Sequence, residues 1–204
     1  MKTFSGLGVS AGIGQAPALL VEPAPGLPAR DPKGDTDDDV ARVTAALSKV
    51  ADRLDARALE ADPSAIGVLM ATAMMARDPG LTSSVRTHLE EGDGPAHALW
   101  GAIDDFCAQL TAAGGYLAER VTDLHNVRDR ALAVLQGLPE PGVPAFDSPV
   151  ILVAEDLAPA DTATLDPELV RGLVTAAGGP TSHTAILAAQ ILSLIHISEP
   201  TRPL

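Results

Sequence analysis

The sequence predicts an α/β unit interrupted by an inserted all-α bundle, and three observations carry that prediction. Short apolar runs at Ala18–Val21, Val150–Val153 and Leu173–Thr175, each flanked on at least one side by Pro or Gly, have the length and composition of buried strands. Between the first and the second run the apolar residues take up helical spacing, from about Thr36 to Gln136. The chain has 204 residues, 46% of them hydrophobic, which is enough for one domain or two small ones with a working core.

The elements follow in order. A Gly-rich opening, Gly6 to Gly14, leads into the first strand, and a Pro/Gly/Asp linker runs to about Asp35. Val40, Val43, Leu47, Val50 and Leu54 then lie on one stripe of a helix, with Thr36 and Asp39 spaced to cap its start. Ser64–Arg77 and Leu81–Glu91 read as a second helix broken at Asp78-Pro79-Gly80, because Pro and Gly interrupt the backbone ladder. Leu99, Ile103, Phe106 and Leu110 mark a third helix. Leu117, Val121, Leu124, Ala131 and Leu135 mark a fourth, with Gly137 as its C-terminal cap. Four helices with short connections imply an antiparallel bundle. Beyond the Pro/Gly-rich stretch Gly137–Pro149, a short helix within Ala160–Leu169 separates the last two strands. The N-terminal strand is expected to return and pair beside residues 150–175, and a helical run from Ser182 to Ala189 follows Gly178-Gly179.

Composition excludes several functions. A formal charge of −13, with one Trp, one Tyr and three Phe, leaves neither the cationic surface nor the stacking platforms of a nucleic-acid binder. Cys107 is alone, which rules out an intrachain disulfide or a Cys-x-x-Cys site, and it reads as a small buried hydrophobe. Met1 to Ser10 lack the apolar run of a signal peptide or a membrane span, so the chain reads as soluble and cytoplasmic. His88, His97 and His125 have no partner at metal-ligand spacing, and no metal site is expected.

The chemistry concentrates in Thr175-Ala176-Ala177-Gly178-Gly179-Pro180-Thr181-Ser182-His183-Thr184-Ala185-Ile186-Leu187. This is a strand end, a Gly-Gly turn and a helix start with an imidazole in its first turn. Gly178 and Gly179 let the backbone approach a ligand closely, and free N–H groups at a helix start favour an anion such as phosphate. Thr181, Ser182 and Thr184 add hydroxyl donors. A neutral imidazole is a competent nucleophile toward phosphorus, and the positive helix end disfavours imidazolium. A histidine beside glycines is by itself more often a turn-capping or loop residue, and it is the surrounding residues that reverse that reading.

The Gly-Gly-x-Thr-Ser-His-Thr-x-Ile run resembles the active-site signature of Enzyme I, the phosphoenolpyruvate-protein phosphotransferase family of the bacterial sugar phosphotransferase system. Three further stretches share the resemblance: Asp156-Leu157-Ala158-Pro159-Ala160-Asp161-Thr162, the opening Gly6 to Val21, and Tyr116-Leu117-Ala118-Glu119-Arg120. Together they cover roughly residues 3–190. The resemblance implies an α/β phosphohistidine, or swivelling, subdomain at 1–25 and 146–190, and a helical subdomain at 33–138 that docks the phosphocarrier protein HPr. His183 would accept phosphate from phosphoenolpyruvate on Nε2 and pass it to a histidine of HPr. Thr162 matches a threonine that orients the histidine. Met74, Met75, Asp78, Leu81 and Arg120 match the carrier-docking face. Methionines adapt to irregular surfaces, although Met70 reads better as core, and Met74 and Met75 read equally well as core or surface.

Three departures from the family pattern stand out. Ala189 replaces a usual Arg that would clamp the phosphate. Residues 191–204 do not continue the pattern and read as a non-native tail, so His196 has no assigned role. The barrel that binds phosphoenolpyruvate and Mg²⁺, and forms the family's homodimer, is absent. The fragment is therefore expected to bind no cofactor, to be monomeric, and to exchange phosphate only with phospho-HPr. Two other readings stay open: the phosphohistidine domain of a pyruvate phosphate dikinase- or phosphoenolpyruvate synthase-like enzyme, and an inactive carrier-binding module.

Overall fold

A computed structural model describes residues 8, 13–61, 63–155, 157, 159–162 and 165–176. It divides into two units. One comprises the chain up to Pro23 and from Gly142 onward; the other is Ala24–Pro141.

In the first unit the three apolar runs become strands β1 (Ala18–Leu20), β2 (Val150–Ala154) and β3 (Val170–Thr175), all parallel, in the order β1-β2-β3. Parallel strands require crossover connections. Between β1 and β2 the whole helical unit serves as one. Between β2 and β3 the crossover contains a four-residue helix, Pro159–Thr162, shorter than the sequence suggests. The register sets Leu19, Leu152 and Leu173 in one row. Val150, Leu152 and Val170 are the buried centre of this sheet, packed by Leu19, Val143, Phe146, Leu165 and Leu173. β3 starts at Val170, earlier than its apolar run. Gly14 lies so close to the Arg171 carbonyl that a Cβ there would collide with backbone, so no other residue fits.

The helical unit contains α1 (Thr36–Glu60), α2 (Pro63–Ala76), α3 (Pro79–Glu91), α4 (Pro95–Ala113), α5 (Gly115–Glu119) and α6 (Val121–Gln136); the Pro159–Thr162 helix is α7. The stripe Val40 to Leu54 is buried as its spacing requires. Capping of α1 differs by one position: Asp35, not Thr36, accepts the N–H groups of Asp37 and Asp38, and the buried Asp39 carboxylate accepts from Gly34 N at 2.6 Å. Asp78-Pro79-Gly80 breaks the chain because Asp78 caps α3, accepting from Gly80 N at 2.7 Å, with Pro79 at the first helical position. The expected fourth helix is two. Gly114 and Gly115, both at positive φ, turn the chain, and α5 makes little more than one turn before α6 begins. Gly137, at φ +66°, ends α6 as expected. α1 packs against α2, α3, α4 and α6. Its Leu47 and Leu54, with Leu69, Leu81, Leu89, Leu99, Ile103 and Leu132, are fully buried side chains of the core.

Residues 24–35, a linker by composition, are fastened to the helices. Asp31 Oδ2 accepts from His97 N at 2.9 Å and lies 3.0 Å from His97 Nδ1, and Gln136 Nε2 donates to the Gly26 carbonyl at 3.0 Å. Beyond α6, Glu140 receives Arg53 at 2.9 Å and Arg57 at 3.0 Å from α1, and pairs with Arg130 of α6.

Candidate functional site

His183, Gly178, Gly179, Thr181, Ser182 and Thr184 lie outside the described residues, as do the helical run after them, Ala189 and residues 191–204. The structure does describe what leads to them. β2 and β3 end side by side, Ala154 paired with Thr175, and Ala176 N donates to the Ala154 carbonyl at 3.0 Å. The carboxyl ends of parallel strands are where α/β sheets place their ligand sites. The signature follows β3 from that edge: Gly178 is three residues beyond Thr175.

Thr162 is the one predicted site residue of this unit that is described. It ends α7 and is 2% exposed, and the preceding Asp161 is also buried, at 5%. A hydroxyl and a carboxylate are buried where hydrogen bonding can satisfy them. Gly142, at φ +106°, packs directly against the Asp161 carboxylate, and its N–H donates to the Glu22 carbonyl at 3.2 Å. Sequence reasoning gave Asp161 and Gly142 no role. The only signal was their place in a resembling motif and a Pro/Gly-rich stretch.

In the helical unit, Met74, Met75 and Asp78 sit at the α2–α3 junction, where Arg77 N and Asp78 N bond back to the Met74 and Met75 carbonyls at 3.1 and 3.2 Å. Met74 is 73% exposed, Met75 is half-buried and Asp78 is exposed. Met70, read as core, is 51% exposed, because α2 packs on α1 and α6 and leaves that side of the helix uncovered. Leu81 is a correction. It is fully buried, sharing the inward face of α3 with Val85 and Leu89, so its side chain does not reach a docking surface. Arg120, at the α5–α6 junction, holds the buried Asp123 at 3.0 Å.

Among the described residues, the other histidines and Cys107 occupy structural positions. His88 bonds to Asp105 at 3.0 Å, and His97 is held by Asp31. His125 is half-buried; burial first, then the Arg128 cation, pushes its imidazole below the usual range. Arg128 stacks over Trp100, 3.8 Å from the ring centroid. Cys107 is buried, and that burial raises its thiol pKa, as suits an unreactive packing residue. Among the described residues no three His, Cys, Asp or Glu side chains converge as a group that could hold a metal ion. Nor, among them, is any helix long and apolar enough to cross a membrane.

A small parallel sheet whose chain is interrupted by a helical unit, with a glycine-histidine signature following a strand end, defines a class. The sequence matches the family described as PEP-utilising enzyme, N-terminal, over residues 5–120, and the PEP-utilising enzyme mobile domain over 146–191. The chain belongs to the PEP-utilising enzyme family.

Within it, the chain is 46% identical over 192 residues to a phosphoenolpyruvate-protein phosphotransferase of Streptomyces coelicolor, covering 91% of this chain and 34% of that protein. It is 33% identical to the protein of the same name from Lactococcus lactis, covering 91% of this chain and 33% of that one. The chain thus spans about a third of the length of these curated relatives. A solution structure of Enzyme I superposes with a TM-score of 0.78 at 27% identity, over 93% of this chain and 79% of that one. The N-terminal domain of Enzyme 1 - Nitrogen shares the fold, at a TM-score of 0.56 and 22% identity, over 89% and 77% of the two chains.

Proposed function

We propose that this chain is the phosphoryl-carrying part of a phosphoenolpyruvate-protein phosphotransferase, relaying phosphate through His183 from phosphoenolpyruvate to the carrier HPr in sugar uptake. One observation carries the reading: the mobile-domain match at 146–191 encloses Gly178-Gly179-Pro180-Thr181-Ser182-His183-Thr184, residue types suited to holding and transferring a phosphoryl group.

In the loading step the Nε2 lone pair of neutral His183 attacks phosphorus, a P–N bond forms, and the P–O bond to the enol oxygen breaks. The electron pair leaves with that oxygen, and the enolate takes a proton to become pyruvate. In the second step a histidine nitrogen of HPr attacks the same phosphorus, and the electron pair of the broken P–N bond returns to His183. Backbone N–H groups at Gly178 and Gly179 and the hydroxyls of Thr181, Ser182 and Thr184 hold the phosphoryl oxygens, and Thr162 orients the ring. No step of this proposal runs through Mg²⁺, which the full-length family uses outside these residues.

The swivelling phosphohistidine subdomain comprises 1–25 and 146–190, and the inserted bundle, 33–138, docks the carrier. Exposed Met74, half-buried Met75 and exposed Asp78 present an apolar, acid-edged surface suited to a basic carrier, with Arg120 beside Asp123 at the α5–α6 junction. A cytoplasmic location, and dimerisation through a barrel beyond this region, belong to the same proposal.

Mixing the chain with phosphorylated HPr should place acid-labile phosphate on His183, and His183→Ala should abolish labelling while leaving HPr binding intact. Binding of HPr with no transfer to the unsubstituted chain would make it a carrier-binding module. Undiminished labelling of His183→Ala would refute the assignment of the carrier residue.

A further inference from the structure

We infer that Gly142 and Asp161 are positioning residues for phosphoryl transfer, acting through Thr162. The inference rests on the proposed reading of His183 as phosphoryl carrier and of Thr162 as the residue that orients it, and adds two residues that touch neither the ring nor the phosphate in that scheme.

Thr162 closes a helix of only four residues, Pro159–Thr162. So short a helix has too few internal hydrogen bonds to fix its own position, so the side chains packed beside it must do so. Asp161 is one of those side chains, buried and adjacent to Thr162 in the chain. Its carboxylate lies over Gly142: a Cβ built there would stand 2.9 Å from Oδ1, 3.1 Å from Oδ2 and 3.2 Å from Cγ. The Gly142 backbone is itself fixed, since its N–H bonds to the Glu22 carbonyl just beyond β1, and its φ of +106° is one that side chains with a Cβ rarely adopt. The missing side chain at 142 thus provides the space in which the acid sits. A methyl group there meets the carboxylate end of a short, buried side chain, which must give by a few tenths of an ångström, and because Asp161 and Thr162 are neighbours in α7 that shift is carried to the Thr162 hydroxyl. Orientation by a hydrogen bond tolerates little of this: a displacement of about 1 Å at a catalytic group lowers rates by up to about 100-fold.

The test uses the full chain with phosphorylated HPr as donor and measures the rate of His183 labelling across pH. Gly142→Ala should slow labelling by up to about 10-fold and displace the pH profile in the same direction as Thr162→Val. Combining the two substitutions should be no slower than Thr162→Val alone, because both act through one hydrogen bond. Asp161→Ala, which removes the carboxylate without adding bulk, should displace the profile in the same direction and serves where Gly142→Ala does not fold. A mere loss of folded protein lowers the amplitude but leaves the profile in place. Wild-type rates and profiles in Gly142→Ala or Asp161→Ala, or an additive effect of Gly142→Ala on Thr162→Val, overturn the positioning role alone. No phosphate on His183 of the unsubstituted chain overturns the reading beneath it.

Discussion

His88 shows how a residue acquires a function from its surroundings. It sits in the last turn of α3, where the helix dipole favours a cation, with Nε2 3.0 Å from Asp105 of α4 and Nδ1 3.4 Å from Asp93. The hydrogen bond to Asp105 holds its imidazole above the usual range, against a smaller opposing effect of burial. The charged form is thus favoured in the folded state. Its contribution to stability is fully present below the unfolded-state value of about 6.5 and is lost as pH rises through the higher folded-state value. His88→Gln should therefore destabilise the helical unit more at pH 5.5 than at pH 8.5, in urea titrations followed by Trp100 fluorescence. His125 works in the opposite sense: its lowered value makes protonation unfavourable to the fold as pH falls. Gly101 lies beneath the His88 ring, 2.6 Å from Cε1 to where a Cβ would stand, so the α3–α4 contact depends on that glycine as well.

At the scale of elements, α4 begins without a cap of its own. Gly94, the residue before Pro95, has no side chain to offer, and the N–H of His97 is taken instead by Asp31, a residue far away in sequence. The chain segment carrying Asp31 passes so close to Gly94 that a Cβ there would collide with the Asp31 carbonyl. Asp31→Ala should cost about 1 kcal/mol, the usual worth of an N-cap. Gly94→Ala should cost more, because the linker must move and the cap is lost with it. Both are measurable by the denaturation of Trp100, which lies in α4. Helices α2 and α3 illustrate a second lesson: one apolar stretch broken by Asp-Pro-Gly gives two helices in which neighbouring residues face different surroundings, Met74 outward and Leu81 inward.

For the whole molecule, one tie across the helical unit is the meeting of Arg53, Arg57 and Arg130 on Glu140. Arg130 is 1% exposed and also donates to Asn126 at 2.9 Å, whereas Arg53 and Arg57 are each about a third exposed. Removing one carboxylate partner from a buried guanidinium costs up to roughly 3 kcal/mol. Glu140→Ala should approach that figure, while Arg53→Ala should cost less than about 1 kcal/mol, since water screens exposed pairs. With two units in one chain, global unfolding need not be two-state. Trp100 is the only tryptophan, and its fluorescence reports the helical unit alone.

The sequence by itself determined the kinds of element and their order: the strand runs at 18–21, 150–153 and 173–175, the Val40–Leu54 stripe, the break at Asp78 and the stop at Gly137. It also carried the signature around His183. These are local signals, written in spacing and in backbone preferences that neighbours along the chain decide. Only the tertiary structure decided that Arg130 and Asp161 are buried, that Met70 faces outward while Leu81 faces inward, that Asp31 caps a helix it does not belong to, and that Gly142 makes room for a carboxylate. Burial and partnership depend on residues brought together from distant parts of the chain, and no period or propensity within a single segment encodes which of them will meet.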